Sequence, residues 1–317
     1  FNFMGEFMAN KVFKSHNSQL RILRSRGLIV KSSAKKILEA ENYYNVINGY
    51  KDLFLDRTAA SETYKNGAEF TEIFALYEFD RELRFIFLKR LLKIENQIKS
   101  VIAYKFSEKY GHDNYLKLVN FDSYRNDREL SARMEVISTF QRKISEQSGK
   151  HNAVTHYVKE YGYVPLWVLV NVLEFGKISK FFGILKLQDR QAVAREFGIQ
   201  ENVFKSYLKL MSVFRNVCAH DERLYNSKLS SIEIVAGPIH RRLAIPVANG
   251  KPIYGNNDLF ALLICLKEFL PNRTRGEFPE TVKQIDKEID KLQNNIHTVN
   301  INDILLMMGF PANWKTI

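Results

Sequence analysis

Cysteine is scarce in this chain of 317 residues: it has two, Cys218 and Cys265. They lack paired spacing and no signal-peptide pattern opens the sequence, so a reducing cytoplasm is expected rather than a disulfide-stapled secreted fold. Long hydrophobic runs are missing too. The longest, Val164–Phe175, contains Asn171 and Glu174 and falls short of the roughly 20 apolar residues that span a bilayer, so no membrane association is expected. No His-x3-His or Cys-x2-Cys pair occurs, and Glu174, Asp221 and Glu222 form no metal spacing. No glycine-rich phosphate loop exists, and the lone Gly176 of Phe175–Ser179 reads better as a helix stop than as part of an anion site. Neither a metal nor an organic cofactor is expected. Internal repeats and low-complexity tracts are lacking as well. The opening FNFMGEF, ahead of Met8, reads as non-native sequence and stays outside the fold argument.

What is present is apolar, aromatic and basic. A hydrophobic content of 45% with 13% aromatics argues for an ordered globular protein with a substantial core, as one large or two modest domains. The formal charge of +12 points to nucleic acid, because neutralising phosphates releases counterions. The cations are clustered. Lys11, Lys14, Arg21, Arg24, Arg26, Lys31, Lys35 and Lys36 crowd the first segments, and Arg81, Arg84, Lys89, Arg90, Lys93 and Lys99 fall along a long central one. Within the first group, Arg21, Arg24 and Arg26 are the candidates for holding RNA backbone. Tyr43, Tyr44 and Tyr50 lie beside them; stacking on bases is one reading, half-buried core edges the preferred one.

The periodicity is helical almost throughout, so the fold class is all-α. A short helix over Ser18–Arg26 is stopped by Gly27, and Ser32 or Ser33 caps a second. Thr71 is the expected cap of a long central helix running to Tyr110, with Gly111 as its stop. Another long helix follows over Asp127–Ser148. Pro165 marks a further start, and short helices are expected over 177–187, 188–197 and 200–220. Near 242–254 the pattern changes: Asn249-Gly250 between two β-prone runs is the signature of a small hairpin with a type I′ turn. Helices resume over Asp258–Leu270, Pro279–His297 and Ile301–Met308.

The most informative stretch is FRNVCAHDERLYN, Phe214 to Asn226. Arg215, Asn216 and His220 stand at i, i+1 and i+5, about 140° apart at the extremes, and face one cleft if the helix end is slightly distorted. A histidine can take the proton from a ribose 2′-OH or return one to a leaving oxygen. An adjacent arginine can grip the phosphate with two N–H donors and offset transition-state charge. With 19 Arg and 7 His in the chain, about 0.4 Arg-x4-His pairs arise by chance, and about 0.03 once Asn must follow the arginine. The competing reading makes His220 a structural histidine at a helix end. Cys218, two residues from His220, points to another face and is read as packing.

The tail of this motif resembles the signature of HEPN ribonucleases, Arg-polar-x3-5-His, and specifically that of the Abi-like abortive-infection proteins of the AbiD/AbiF group. Ser18–Val30, Glu41–Tyr50, Phe79–Ser100 and the Pro-x-Trp…Phe-Gly segment Val164–Phe182 are similar to that family's other segments, so the likeness extends from about Ser15 to Asn226. The resemblance implies a HEPN-type helical bundle over 71–226, preceded by an RNA-binding helical segment over 1–70 and followed by a hairpin and C-terminal helices over 227–317. It further implies a homodimer in which two copies of Arg215, Asn216 and His220 build one metal-independent endoribonuclease site. Arg223 and Tyr225 are expected to contact RNA or cap the helix. A role in phage defence by growth arrest follows from the resemblance, with a cognate structured non-coding RNA as restraining partner. Two other readings stay open: an RNA-binding protein without turnover, and a helical protein-interaction module.

Overall fold

A computed structural model describes residues 12–270 and 276–317; Lys11 and the FNFMGEF opening lie outside them. The chain is all-α with one small hairpin. In order come α1 (His16–Ser25), α2 (Ser33–Ala40), α3 (Phe70–Tyr110), α4 (Asp127–Gln147), α5 (Asn152–Tyr161), α6 (Leu166–Leu169), α7 (Phe175–Ile184), α8 (Leu187–Glu196), α9 (Glu201–Ala219), α10 (Pro238–Arg242), β1 (Val247–Ala248), β2 (Lys251–Pro252), α11 (Leu259–Phe269), α12 (Glu277–Gln293) and α13 (Ile301–Met307).

Local chemistry explains the boundaries. Helix α3 is 41 residues long. It keeps Ile73, Leu76, Leu83, Phe87, Leu91, Ile94, Ile98 and Ile102 buried at three- and four-residue spacing, the stripe of a helix laid against a core. Its cap differs from the expectation. Glu72 reaches back to accept the Glu69 N–H at 3.0 Å, so Glu69 rather than Thr71 heads the helix, because a carboxylate three residues in satisfies an orphan N–H there. Gly111, at φ +88°, ends it. Asn126 caps α4 by accepting the Glu129 N–H at 2.9 Å. Gly176 is a second departure: it lies in the first turn of α7 instead of stopping a helix. The hairpin pairs Val247 with Pro252 and Ala248 with Lys251. Its corner residues Asn249 and Gly250 both take positive φ, 53° and 76°, as a type I′ turn requires.

The chain divides into two compact units. One comprises the residues up to Asp80 together with Glu288–Asp303; the other comprises Arg81–Lys287 and Ile304–Ile317. Within the first, buried Glu72 accepts the backbone N–H groups of His297 (2.7 Å) and Thr298 (2.8 Å). Tyr50 is buried there and donates to Asp80 at 2.6 Å, whereas Tyr44 is exposed.

In the second unit α9 packs against α7, α8 and α11. Phe204, Leu208, Met211 and Phe214 form its inner face, and the Phe204 ring meets Phe182 at 5.0 Å. Each such aromatic contributes about 1.5–3 kcal/mol by burial. Residues Leu259 to Leu266 of α11 are buried all round. Asp258 opens that helix: its carboxylate accepts from Ala261 N–H at 2.9 Å and from Gly255 N–H, and burial pushes its pKa up. Opposite stands Gly309, at φ +79°, where an added Cβ would lie 2.1 Å from the Asp258 carboxylate. Gly309→Ala is therefore expected to cost about 2–4 kcal/mol through overpacking and left-handed strain together. Chemical denaturation measures it; an unchanged midpoint contradicts this packing.

Candidate active site at the end of α9

Helix α9 carries the motif on its last turn, and three guanidinium–carboxylate pairs hold the helix in place. At its start, Arg190 of α8 donates Nε to Glu201 at 2.6 Å. Near its end, Arg215 donates Nε to Glu95 of α3 at 3.0 Å. Just past its end, Arg84 of α3 pairs with Asp221 and donates to the Glu222 carbonyl at 3.4 Å.

The ending itself is built by backbone chemistry. His220 is the C-cap and has left helical dihedrals, with φ −103° and ψ 15°. This is the distortion that the i, i+1, i+5 spacing demands. Asp221 follows in the left-handed region at φ 58°. Its neighbour Glu222 bonds by N–H to the Val217 carbonyl at 3.2 Å, and His220 N–H reaches Asn216 O at 2.9 Å. This is a Schellman-type stop, in which glycine usually takes the left-handed position. A non-glycine there costs on the order of 1–2 kcal/mol. Arg84, 3% exposed, offsets that cost by clamping both the Asp221 side chain and the next carbonyl. His220 is therefore positioned by a buried cation one helix away.

Asn216 and His220 are both exposed and stand at i and i+4 on one face. Arg215, beside them, keeps about a quarter of its side chain in solvent. Among the described residues Glu95 is its partner, and that bond uses Nε, leaving the two terminal amino groups free to bind a bidentate anion. Glu95 is 3% exposed and bonds Lys99 at 2.7 Å through its other oxygen. A buried carboxylate is tolerated only when paired, and here two cations share it.

The remaining sequence candidates are scattered. Arg26 pairs with Glu62, Arg24 donates to the Val30 carbonyl at 3.1 Å, and Arg21 is exposed with no partner among the described residues. All three belong to the first unit, while Arg215, Asn216 and His220 belong to the second. Arg223 is half-buried. Tyr225 is 1% exposed, so it packs in the core instead of reaching solvent. Cys218 is buried, in keeping with its packing role.

The central basic row also reads differently in three dimensions. Arg84, Arg90 and Lys99 are buried; Arg90 meets Thr281 at 2.9 Å, and Lys93 pairs with Glu277. Arg84, Arg90 and Lys99 are thus structural, whereas Lys89 and Lys93 of the same row are exposed. Arg84 and Glu95 are the positioning residues that sequence reasoning missed. Their signal was present: charged residues on the same three- and four-residue stripe as Phe87, Leu91 and Ile98, where a helix turns inward.

Among the described residues no group of three His, Cys, Asp or Glu could hold a metal ion, and no helix is long and apolar enough to cross a membrane. The model of one protein family, the Abi-like proteins, matches residues 36–226, a span that contains α9 and the whole Arg-Asn-x3-His motif. The chain belongs to the Abi-like protein family. Searches of curated proteins and of solved structures find no match.

The clamp makes a specific prediction. Arg84→Met leaves Asp221 in a disfavoured conformation without compensation, so stability is expected to fall by about 1.5–3 kcal/mol, the value of hydrogen bonds to a charged group. Asp221→Gly relieves the left-handed strain but takes a carboxylate away from buried Arg84, so alone it is also expected to lose stability; added to Arg84→Met it is expected to recover part of the loss. Thermal melts of the single and double variants measure this; no recovery in the double variant contradicts the clamp.

Proposed function

We propose that this protein is a HEPN-type, metal-independent endoribonuclease acting in abortive-infection defence, the role that membership of the Abi-like family suggests. The single observation that carries the reading is the end of α9. An exposed histidine, an exposed amide and an arginine with free terminal amino groups share one helix end, held rigid by buried Arg84 and Glu95. Arg215 also pairs buried Glu95, but Asn216 and His220 are exposed, and the buried pairs hold them at the surface.

In this mechanism His220 takes the proton from a ribose 2′-OH, and that oxygen attacks the adjacent phosphorus. Arg215 grips the non-bridging oxygens through its planar fork and offsets the charge of the pentacoordinate transition state. Asn216, one turn before His220 on the same face, orients the imidazole or the phosphate. The 5′-oxygen leaves with a proton from a second acid, so the products are a 2′,3′-cyclic phosphate and a 5′-hydroxyl. One chain supplies one histidine. The second comes from a second copy across a two-fold axis, and the active unit is a homodimer. Arg21, Arg24, Arg26 and Arg223 contact RNA without taking part in the chemistry, and a structured non-coding RNA restrains the toxin in uninfected cells.

His220→Ala and Arg215→Ala are expected to lower RNA cleavage by about 10²–10⁴ and to abolish growth arrest, with the melting temperature kept in His220→Ala and lowered, the fold retained, in Arg215→Ala, which leaves buried Glu95 to Lys99 alone. Arg215→Lys is expected to be poor as well, because a point charge cannot reproduce the two-pronged grip. Cys218→Ser is expected to stay active. Folded His220→Ala protein that cleaves like wild type overturns the assignment. A strictly monomeric species by light scattering, still cleaving, removes the paired site.

A further inference from the structure

Glu95 bonds Lys99 as well as Arg215, and Lys99 lines a cleft of about 650 Å³ on the neighbouring turns of α3. Such a volume falls in the range of small-ligand sites. Asn96 and Tyr104 of α3 form one wall, and Trp167 of α6 with Asn171 the other. The two aromatic rings are not core residues: Tyr104 is 61% exposed and Trp167 47%. Among the described residues the Asn96 amide and the Trp167 indole N–H have no hydrogen-bond partner, and Asn171 uses one N–H, to the Trp167 carbonyl at 3.0 Å.

The aromatic surface does not stop at the cleft. The Trp167 ring lies 6.5 Å from His112, His112 lies 4.6 Å from Tyr163, and Tyr163 lies 6.3 Å from Tyr161. His112 and Tyr161 are exposed. Acidic groups accompany this track: Glu108 accepts from the Tyr104 hydroxyl at 3.2 Å and Asp113 stands 3.9 Å from the His112 ring. A surface that is aromatic and amide-bearing but not strongly cationic suits bases better than phosphates. Uncharged π-faces stack on any base, and free amides can read base edges.

We infer that the Asn96–Tyr104–Trp167–Asn171 cleft and its aromatic continuation bind unpaired nucleobases of single-stranded RNA. The inference rests on the ribonuclease reading for the identity of the polymer. Its geometric link to the motif is Glu95, which touches both Arg215 and the cleft residue Lys99. Bases flanking the scissile phosphate are held by stacking in the cleft, and duplex RNA, whose bases are already stacked, is excluded.

Tryptophan fluorescence tests this directly, because the chain has two tryptophans and the other, Trp314, is buried. The full-length His220→Ala protein is titrated with single-stranded oligouridylate or oligoadenylate of about twelve nucleotides, within the site sizes known for stacking platforms, and with a duplex of equal length. The single strands are expected to quench the emission and the duplex to leave it unchanged. Trp167→Phe is expected to lose the quench but keep affinity within about three-fold. Trp167→Ala and Tyr104→Ala are each expected to weaken binding between about five-fold and one-hundred-fold, the range for loss of one stacked base. Unchanged affinity in both alanine variants overturns the inference. So does conversion of a dimer to a monomer in those variants with RNA binding intact, which would make the surface a contact between copies of this chain. Quenching without cleavage by the wild-type protein refutes the ribonuclease reading and leaves the cleft standing. Cleavage that needs Arg215 and His220, but is indifferent to Trp167 and Tyr104 and gives no quench, does the reverse.

Discussion

A buried arginine decides where α9 ends. Arg84 sits inside the second unit, 3% exposed, with its guanidinium on the Asp221 carboxylate and the Glu222 carbonyl. Without that contact a left-handed aspartate would be an unfavourable place to stop a helix. With it, the last turn is fixed, and His220 is held as the C-cap beside Asn216. The energetics are asymmetric. Desolvating an arginine is expensive unless its donors are filled, and here two of the groups that face them belong to the residues just past the candidate histidine. The stability of the fold and the placement of the site are thus the same interaction.

Glu95 repeats the logic one stretch further along α3. It is a buried carboxylate shared by Arg215 and Lys99, so Arg215 is held by Nε while its far end stays open. One long helix therefore supplies the supports for the motif from positions 84, 95 and 99, and also a wall of the aromatic cleft. This arrangement shows why Arg84, Arg90 and Lys99 of that helix are unavailable to a polymer. A charge of +12 spread over the chain says little about where nucleic acid binds once its central members are neutralised inside.

Much of this architecture was legible in the sequence because it rests on local chemistry. Helical periodicity marks α3, α4 and α9 to within one or two residues, and Asn249-Gly250 announces a turn that only residues tolerant of positive φ adopt. Arg215, Asn216 and His220 stand out by spacing together with the resemblance of the run around them; spacing alone leaves a structural histidine at a helix end equally open. What could not be read was tertiary. The Glu69–Glu72 cap is a choice between neighbouring polar residues that depends on which side chain folds back. The burial of Arg84, Arg90 and Lys99 depends on partners more than a hundred residues away in two cases, Asp221 and Thr281. Tyr225 looked like part of a surface motif and is core, because the chain turns inward immediately after the Asp221 corner.

The central proposal is chemical: that the end of α9 cuts RNA through the ribose 2′-OH. Sequencing that captures only 2′,3′-cyclic-phosphate ends, applied to RNA from cells expressing the wild-type protein and from cells expressing the Arg215→Ala protein at equal level, tests it most directly. New cyclic-phosphate ends paired with 5′-hydroxyl ends are predicted in the wild-type sample alone. The same ends in both samples, or new breaks that carry a 3′-hydroxyl, would contradict it.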